Sequence, residues 1–164
     1  GIRQFYIQLD EYKWKFDVLF DLYETISVTQ SIIYINSKNL LINLYQKLTS
    51  DSYPVSYIHG DMTQVERETN LNNFKNGVTR ILLSTDLLSR GIDIQQLSLV
   101  INFDLPRSKE TYIHRIGRSG RYGRKGVAIN LVTDRDIQYM HELETFYDTK
   151  IEEMPNNIAD YLNN

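Results

Sequence analysis

The sequence predicts a single α/β domain built on an open, mostly parallel sheet with helices on both faces. Three observations predict it. Short β-branched runs alternate with stretches of helical apolar spacing along the whole chain. The length, 164 residues, fits one domain and can bury a core without staples. No Gly/Ser/Pro-rich linker, low-complexity tract or domain-scale repeat interrupts the pattern.

Phe5 to Leu9 reads as a short strand. From Tyr12 to Tyr23, apolar residues at Trp14, Val18, Leu19 and Leu22 have helical spacing. Trp14 is expected to serve helix packing. Ser31 to Ile35 is β-branched and predicts a buried strand, after which Ser37 can cap a helix carrying Leu40, Leu41, Leu44 and Leu48. Val55 to Ile58 is the next strand. Thr63-Gln64-Val65-Glu66 has the form of a capping box opening a helix that runs to Phe74. Arg80 to Leu83 and Ser98 to Phe103 are strands. Ser108 can start a helix near Tyr112-Ile113, and Val127 to Val132 is a strand followed by a helix from Ile137 to Phe146. In such sheets ligands sit beyond the carboxyl ends of the strands, so the polar residues after each strand are the candidates for function.

Composition narrows the chemistry. With no Cys there is no disulfide, thiol or Cys-based zinc chemistry. His59, His114 and His141 have no metal-ligand spacing. No apolar run approaches the ~18 residues that span a bilayer, and no charged-then-apolar leader opens the chain, so neither a membrane nor a secretory route is expected. The formal net charge of −3 speaks against a nucleic-acid binder, which is usually basic. The signs segregate, however. Arg107, Lys109, Arg115, Arg118, Arg121, Arg124 and Lys125 are opposed only by Glu110 in that stretch. Asp134, Asp136, Glu142, Glu144, Asp148, Glu152, Glu153 and Asp160 face only Arg135 and Lys150. A polyanion feels the local field, not the sum. The plain reading of the acidic stretch is a solvated helix face.

Four segments at strand ends combine small, hydroxyl and charged residues: Asn36-Ser37, His59-Gly60-Asp61, Ser84-Thr85-Asp86 through Arg90-Gly91-Ile92-Asp93, and His114 through Arg121. Such residues can approach and donate to a sugar-phosphate backbone. A helix cap also accounts for Ser37, and a turn for Gly60-Asp61. In the fourth segment Gly117, Gly120, Gly123 and Gly126 recur every three residues, interleaved with Arg118, Arg121 and Arg124. So many glycines suit a backbone that bends and makes a close approach. Two guanidinium groups three residues apart suit a phosphoryl group, with surface salt bridges as the alternative.

HRIGRSGR at 114–121, STDLLSRGID at 84–93 and HGDM at 59–62 together resemble the second RecA-like domain of DEAD-box RNA helicases. The likeness covers nearly the whole chain, in order and at the expected spacings, and HRIGRxGR is among the most specific signatures of that family. The stretches at 1–7, 95–102 and 151–155 look like the translation-initiation branch, while Ser119 and Tyr122 look more like the exon-junction branch. The resemblance implies a three-layer RecA-like domain over residues 1–164. It also implies that the family's first domain, with its phosphate loop and Asp-Glu-Ala-Asp motif, lies outside these residues, which contain neither motif.

By resemblance, Arg118 and Arg121 are arginine fingers for ATP, Asp93 binds the ribose hydroxyls and Tyr122 lies beside the base. Thr85, Gly60, Asp61, Asn36 and Ser37 are implied RNA-backbone contacts, and Arg67 and Arg90 further contacts to RNA or across the cleft. His114 would couple the two sites. Magnesium would be held mainly by the first domain. The implied partners are RNA, that first domain and a helical-repeat scaffold of the initiation complex. The implied location is the cytoplasm, or the nucleus on the exon-junction reading. A standalone protein-docking module, with the acidic carboxyl-terminal helix as its dock, and a DNA-directed helicase stay open as alternatives.

Overall fold

A computed structural model describes residues 2–27, 30–86, 97–117 and 126–162. In chain order these form β1 (Ile2–Gln8), α1 (Lys15–Thr25), β2 (Ser31–Tyr34), α2 (Lys38–Ser50), β3 (Val55–Ile58) and α3 (Gln64–Lys75). There follow β4 (Ile81–Ser84), β5 (Leu99–Asn102), α4 (Lys109–Ile116), β6 (Gly126–Val132), α5 (Ile137–Tyr147), β7 (Glu152–Glu153) and α6 (Ile158–Leu162). The strands make one sheet in the order β3-β4-β2-β5-β6-β1-β7. Every pairing among the described residues is parallel, which sharpens the expected "mostly parallel" sheet.

Every residue of β2, β4, β5 and β6 is buried, so these strands show no polar face. That is the signature of a sheet covered on both sides. On one face Ile33, Leu83 and Ile101 pack with Leu19, Leu41, Leu44 and Leu48, beneath α1, α2 and α6. On the other, Ile32, Leu82 and Val100 pack with Phe74 of α3, while Ala128 and Val132 pack with Tyr112 and Ile116 of α4 and Met140 and Leu143 of α5. The result is three layers. β2 lies between β4 and β5, and the helix after β2 covers one face of the sheet while the helix after β5 covers the other. The carboxyl end of β2 is the switch point of the sheet, where such folds bind ligands.

The helix starts agree with the caps read from sequence. The Ser37 side chain accepts the Leu40 amide at 3.3 Å, and Thr63 and Glu66 form the reciprocal box at 3.1 and 2.8 Å. Several elements differ, α6 among them, since no helix is read from the sequence beyond Phe146. The first strand starts at Ile2, because it runs in register with all of β6 from Gly126 to Val132. The first predicted helix is a 3-10 turn at Tyr12–Trp14 followed by α1. Trp14, expected to pack, stands at that junction 46% exposed. The two-residue edge strand β7 was not expected, for Glu152-Glu153 carries no β signal, and it forms by pairing with Phe5 and Tyr6.

The acidic carboxyl-terminal stretch is more than a solvated face. Asp134 accepts from the Gln8 amide at 2.7 Å, Asp136 caps Thr133 at 2.9 Å, and Arg3 reaches Glu152 at 3.3 Å. Glu144 straps the end of α5 to the approach to β7. One carboxylate oxygen accepts the Ile151 amide at 2.9 Å and the other lies 2.9 Å from His141 Nδ1. Burial alone would raise the Glu144 pKa, but these two hydrogen bonds and the His141 charge outweigh it and hold the carboxyl below its usual range. A depressed carboxylate stabilises the fold above its unfolded pKa of ~4.3 and loses that contribution as pH falls through the folded value. Glu144→Gln is therefore expected to lower the urea midpoint at pH 7, by about 1 kcal/mol of stability, with the gap from wild type closing below pH ~4. A gap independent of pH would contradict the strap.

Candidate nucleotide and RNA interface

The site is organised by an arginine that lies inside the protein. On α4, Tyr112, Arg115 and Ile116 fall on one helical face, and all three are buried. Arg115 is fully buried, which a guanidinium tolerates only when its donors are met. Its Nε and Nη2 take both Asp86 oxygens at 2.6 and 2.9 Å. Nη1 donates to Asn102 Oδ1 at 3.1 Å and to the Asp104 carbonyl at 2.6 Å. Nη2 also donates to Asn36 Oδ1 at 2.7 Å. All five N–H donors of the fork are used. The Tyr34 ring stands 5.1 Å from the guanidinium carbon. Asn36, Asp86 and Asp104 follow β2, β4 and β5, the three strands at the switch point. One side chain thus ties their ends together.

Asp104 works in the opposite direction. Its Oδ2 accepts the Asn36 amide at 2.8 Å and its Oδ1 the Tyr12 hydroxyl at 2.7 Å. Lys15, 1% exposed, donates to the Phe103 carbonyl at 2.6 Å and sits 3.6 Å from Asp104. Burial lowers the Lys15 pKa, and Asp104 and Asp136 oppose that shift. The Asn36 amide side chain donates in turn to the Leu105 carbonyl at 2.9 Å.

The turn after β3 is braced from three sides. His59 is buried, stacks on Tyr57 at 5.8 Å, and its Nδ1 accepts the Asp61 amide at 3.2 Å. Arg67, one turn into α3, donates to the Gly60 carbonyl at 2.8 Å. Lys38, the first residue of α2, pairs with Asp61 and joins this turn to the end of β2. That hydrogen bond and the Lys38 charge hold the Asp61 carboxyl below its usual range. Beside it, the Thr85 amide donates to the Ile58 carbonyl at 3.2 Å, and the Thr85 carbonyl accepts from Ser84 Oγ.

The sequence candidates that can be placed therefore gather along one edge. Asn36, Ser37, Gly60, Asp61, Arg67 and Thr85 follow or brace the ends of β2, β3 and β4. Gly60 and Asp61 are exposed, and Arg67 and Thr85 are half-buried. The Asn36 side chain is committed inward, to Arg115 and Leu105. His114 is exposed at the end of α4, with Gly117 capping that helix one turn on. A side chain at Gly117 would meet the Ile113 carbonyl of its own helix at 2.8 Å. Arg90, Asp93, Arg118, Arg121 and Tyr122 lie outside the described residues. The segments that carry them follow Asp86 and Gly117, so the Arg115–Asp86 pair joins the points where both begin. Arg115 is the residue that motif reading undervalues. Its signal was its place on the apolar face of α4, beside Tyr112 and Ile116.

A family profile described as the helicase conserved C-terminal domain matches residues 14–123. The chain is 59% identical over 98% of its length to the ATP-dependent RNA helicase eIF4A of Eremothecium gossypii. It is 54% identical over 99% of its length to eukaryotic initiation factor 4A of Caenorhabditis elegans. The chain spans about two-fifths of each of these relatives, 40% in both. This chain is a C-terminal helicase domain of the DEAD-box family, of the initiation factor 4A type. A solved C-terminal domain of the DEAD-box protein Dbp5 matches this helicase domain at a TM-score of 0.87 and 38% identity, covering 95% of this chain and 91% of that one. Dbp5 of S. cerevisiae, solved with RNA and ADP BeF3, matches at 0.91 and 36%, covering 99% of this chain and 44% of that one.

In this helicase domain the edge carries the exposed Gly60-Asp61 turn and the half-buried Ser37 and Thr85, held on backbone braced by Arg67, Lys38 and the Ser37 cap. Its rigidity rests on Arg115. Arg115→Met, which strands five acceptor atoms on four residues, is expected to destabilise the domain by about 3–5 kcal/mol in urea unfolding, and Arg115→Lys by less because the charge remains. A loss below about 1 kcal/mol for Arg115→Met would show that the hub is dispensable.

Proposed function

We propose that this chain is the second RecA-like domain of an ATP-dependent RNA helicase acting in translation initiation, paired in the whole protein with a first domain that carries the phosphate loop. The observation that carries the reading is the convergence of Asn36-Ser37, Gly60-Asp61 and Thr85 on one edge of the sheet, tied to the motif helix α4 through Asn36 and Asp86 and joined to one another through the Lys38–Asp61 pair. The relatives of 54–59% identity, all named as initiation factor 4A or eIF4A, support translation initiation over the exon-junction role, and with it a cytoplasmic setting. No helix among the described residues is long and apolar enough to cross a membrane.

ATP, bound between the two domains, would supply the phosphoryl group whose transfer drives the cycle. In this chain Arg118 and Arg121 would meet the charge that develops on it, Asp93 would hold the ribose and Tyr122 would flank the base. Arginine fingers contribute ~10³–10⁵ in rate in related phosphoryl transfers. Magnesium would sit mainly with the first domain, as the family resemblance implies. Thr85, Ser37 and the Gly60-Asp61 turn would hold the RNA backbone without reading bases. Arg67 and Arg90 would add contacts to RNA or across the cleft, and His114 would link the two sites through a hydrogen bond. A helical-repeat scaffold protein would dock elsewhere on the domain.

In the two-domain protein, Arg121→Ala should abolish RNA-stimulated ATP turnover while the unfolding midpoint is kept; turnover at the wild-type rate would remove the finger assignment. Thr85→Val should weaken binding to single-stranded RNAs of different sequence by a similar factor, about fivefold, in a fluorescence-anisotropy titration. A loss confined to one sequence would contradict backbone readout.

A further inference from the structure

Arg115 is the head of a longer chain of buried polar groups. Asn102 on β5 and Asn130 on β6 are register partners, and neither is exposed to solvent. Arg115 Nη1 donates to Asn102 Oδ1 at 3.1 Å, and Asn102 Nδ2 donates to Asn130 Oδ1 at 2.8 Å. Asn130 Nδ2 donates to the Phe5 carbonyl at 3.1 Å and to the Tyr112 hydroxyl oxygen at 3.2 Å. The Tyr112 hydroxyl donates to Gln4 Oε1 on β1 at 2.8 Å, and Gln4 Nε2 donates to Thr149 Oγ1 at 2.8 Å. The chain crosses the sheet beneath α4, from the switch point to the turn before β7.

Every bond in this chain points the same way, and the guanidinium forces that polarity. Arginine can only donate, so the oxygen of Asn102 must face it. The Asn102 amide then has only N–H to offer Asn130. The Asn130 oxygen is consumed, so its N–H groups turn to Phe5 and Tyr112. Tyr112 receives a hydrogen and must send its own to Gln4, which leaves the Gln4 amide to donate to Thr149. Flipping either asparagine would set N–H against N–H in a buried site. Aligned bonds of this kind polarise one another, and a break in one leaves a buried group unpaired.

We propose that Asn102, Asn130 and Tyr112 are positioning residues for RNA-stimulated ATP hydrolysis: they fix the rotamer of Arg115 and through it the Asn36-Ser37 and Thr85-Asp86 segments that grip RNA. None of the three touches RNA or nucleotide in this role. The inference rests on the function proposed above, and the test separates the two. In the two-domain protein, Asn130→Leu keeps the volume close and interrupts the chain. It should raise the RNA concentration for half-maximal ATPase stimulation about fivefold or more, with turnover at saturating RNA within about twofold of wild type. Tyr112→Phe removes one hydroxyl and keeps the ring, so it preserves the fold and should give a smaller shift in the same direction.

The decisive measurement is a double-mutant cycle with Arg115→Lys. If the asparagines act through Arg115, Asn130→Leu should add little to the RNA defect of Arg115→Lys, so the two shifts fall well short of multiplying. Shifts that multiply, or an RNA dependence unchanged in both Asn130→Leu and Tyr112→Phe, would overturn the proposal. A wild-type two-domain protein without RNA-stimulated turnover would instead overturn the proposed function.

Discussion

A fully buried guanidinium sets the terms for the rest of this domain. Arg115 brings five donors and no acceptor into a place without water, so five acceptors must be delivered to it at fixed positions. They come from the ends of β2, β4 and β5 and from within β5. An ion pair taken out of solvent contributes little net stability, because its desolvation offsets most of the attraction. Its effect lies in what it forbids. A shift of any one of these strand ends leaves a buried charge or carbonyl unpaired, so the three segments keep one relative arrangement. That is the property a surface needs if it is to grip a flexible polyanion at small cost in ordering.

The same constraint explains the division of labour along the edge. Residues nearest Arg115 are spent inward. The Asn36 side chain has both its ends occupied, and its backbone amide is held by Asp104. Residues one step further out are left to face solvent: the hydroxyl of Ser37 accepts a helix amide and still carries a proton to donate, and the Gly60-Asp61 turn is exposed over a buried histidine. Structural and functional readings of Ser37 and Gly60 are therefore not rivals. A cap and a brace are what hold a donor in place.

Much of this is legible in the sequence, and the parts that are not have a common cause. The β-branched run at Ser31–Tyr34, the leucines of α2 and the capping box at Thr63 are local signals, and the elements form where these signals stand. The motif segments are legible as chemistry because small, hydroxyl and basic residues cluster after strands. β7 is not legible, since Glu152-Glu153 becomes a strand only by pairing with β1. The 3-10 turn before α1 is held by Tyr12 reaching Asp104 and Lys15 reaching the Phe103 carbonyl, contacts some 90 residues away in sequence. Arg115 belongs to the same class. Within its motif it reads as one more basic residue, and its burial depends on Asp86, Asn102, Asp104 and Asn36 arriving from three strands. Long-range polar pairing leaves no periodic trace, whereas apolar burial does.

The net charge of −3 is the global property that misleads most, and the buried groups show why. Arg115 and Lys15 are counted as cations, yet both are sealed inside and matched to carboxylates and carbonyls, so neither adds to a basic surface. Formal charge tallies ionisable residues without asking which ones present a field to solvent. On the proposed reading, the field that matters is that of a narrow edge whose cations follow α4 and whose amides and hydroxyls are pre-set. Its grip on RNA would then come from geometry shared with a second domain rather than from a broad basic patch. On that proposal, geometry of this kind would be switched by closure of the two domains, which bulk electrostatic attraction could not be.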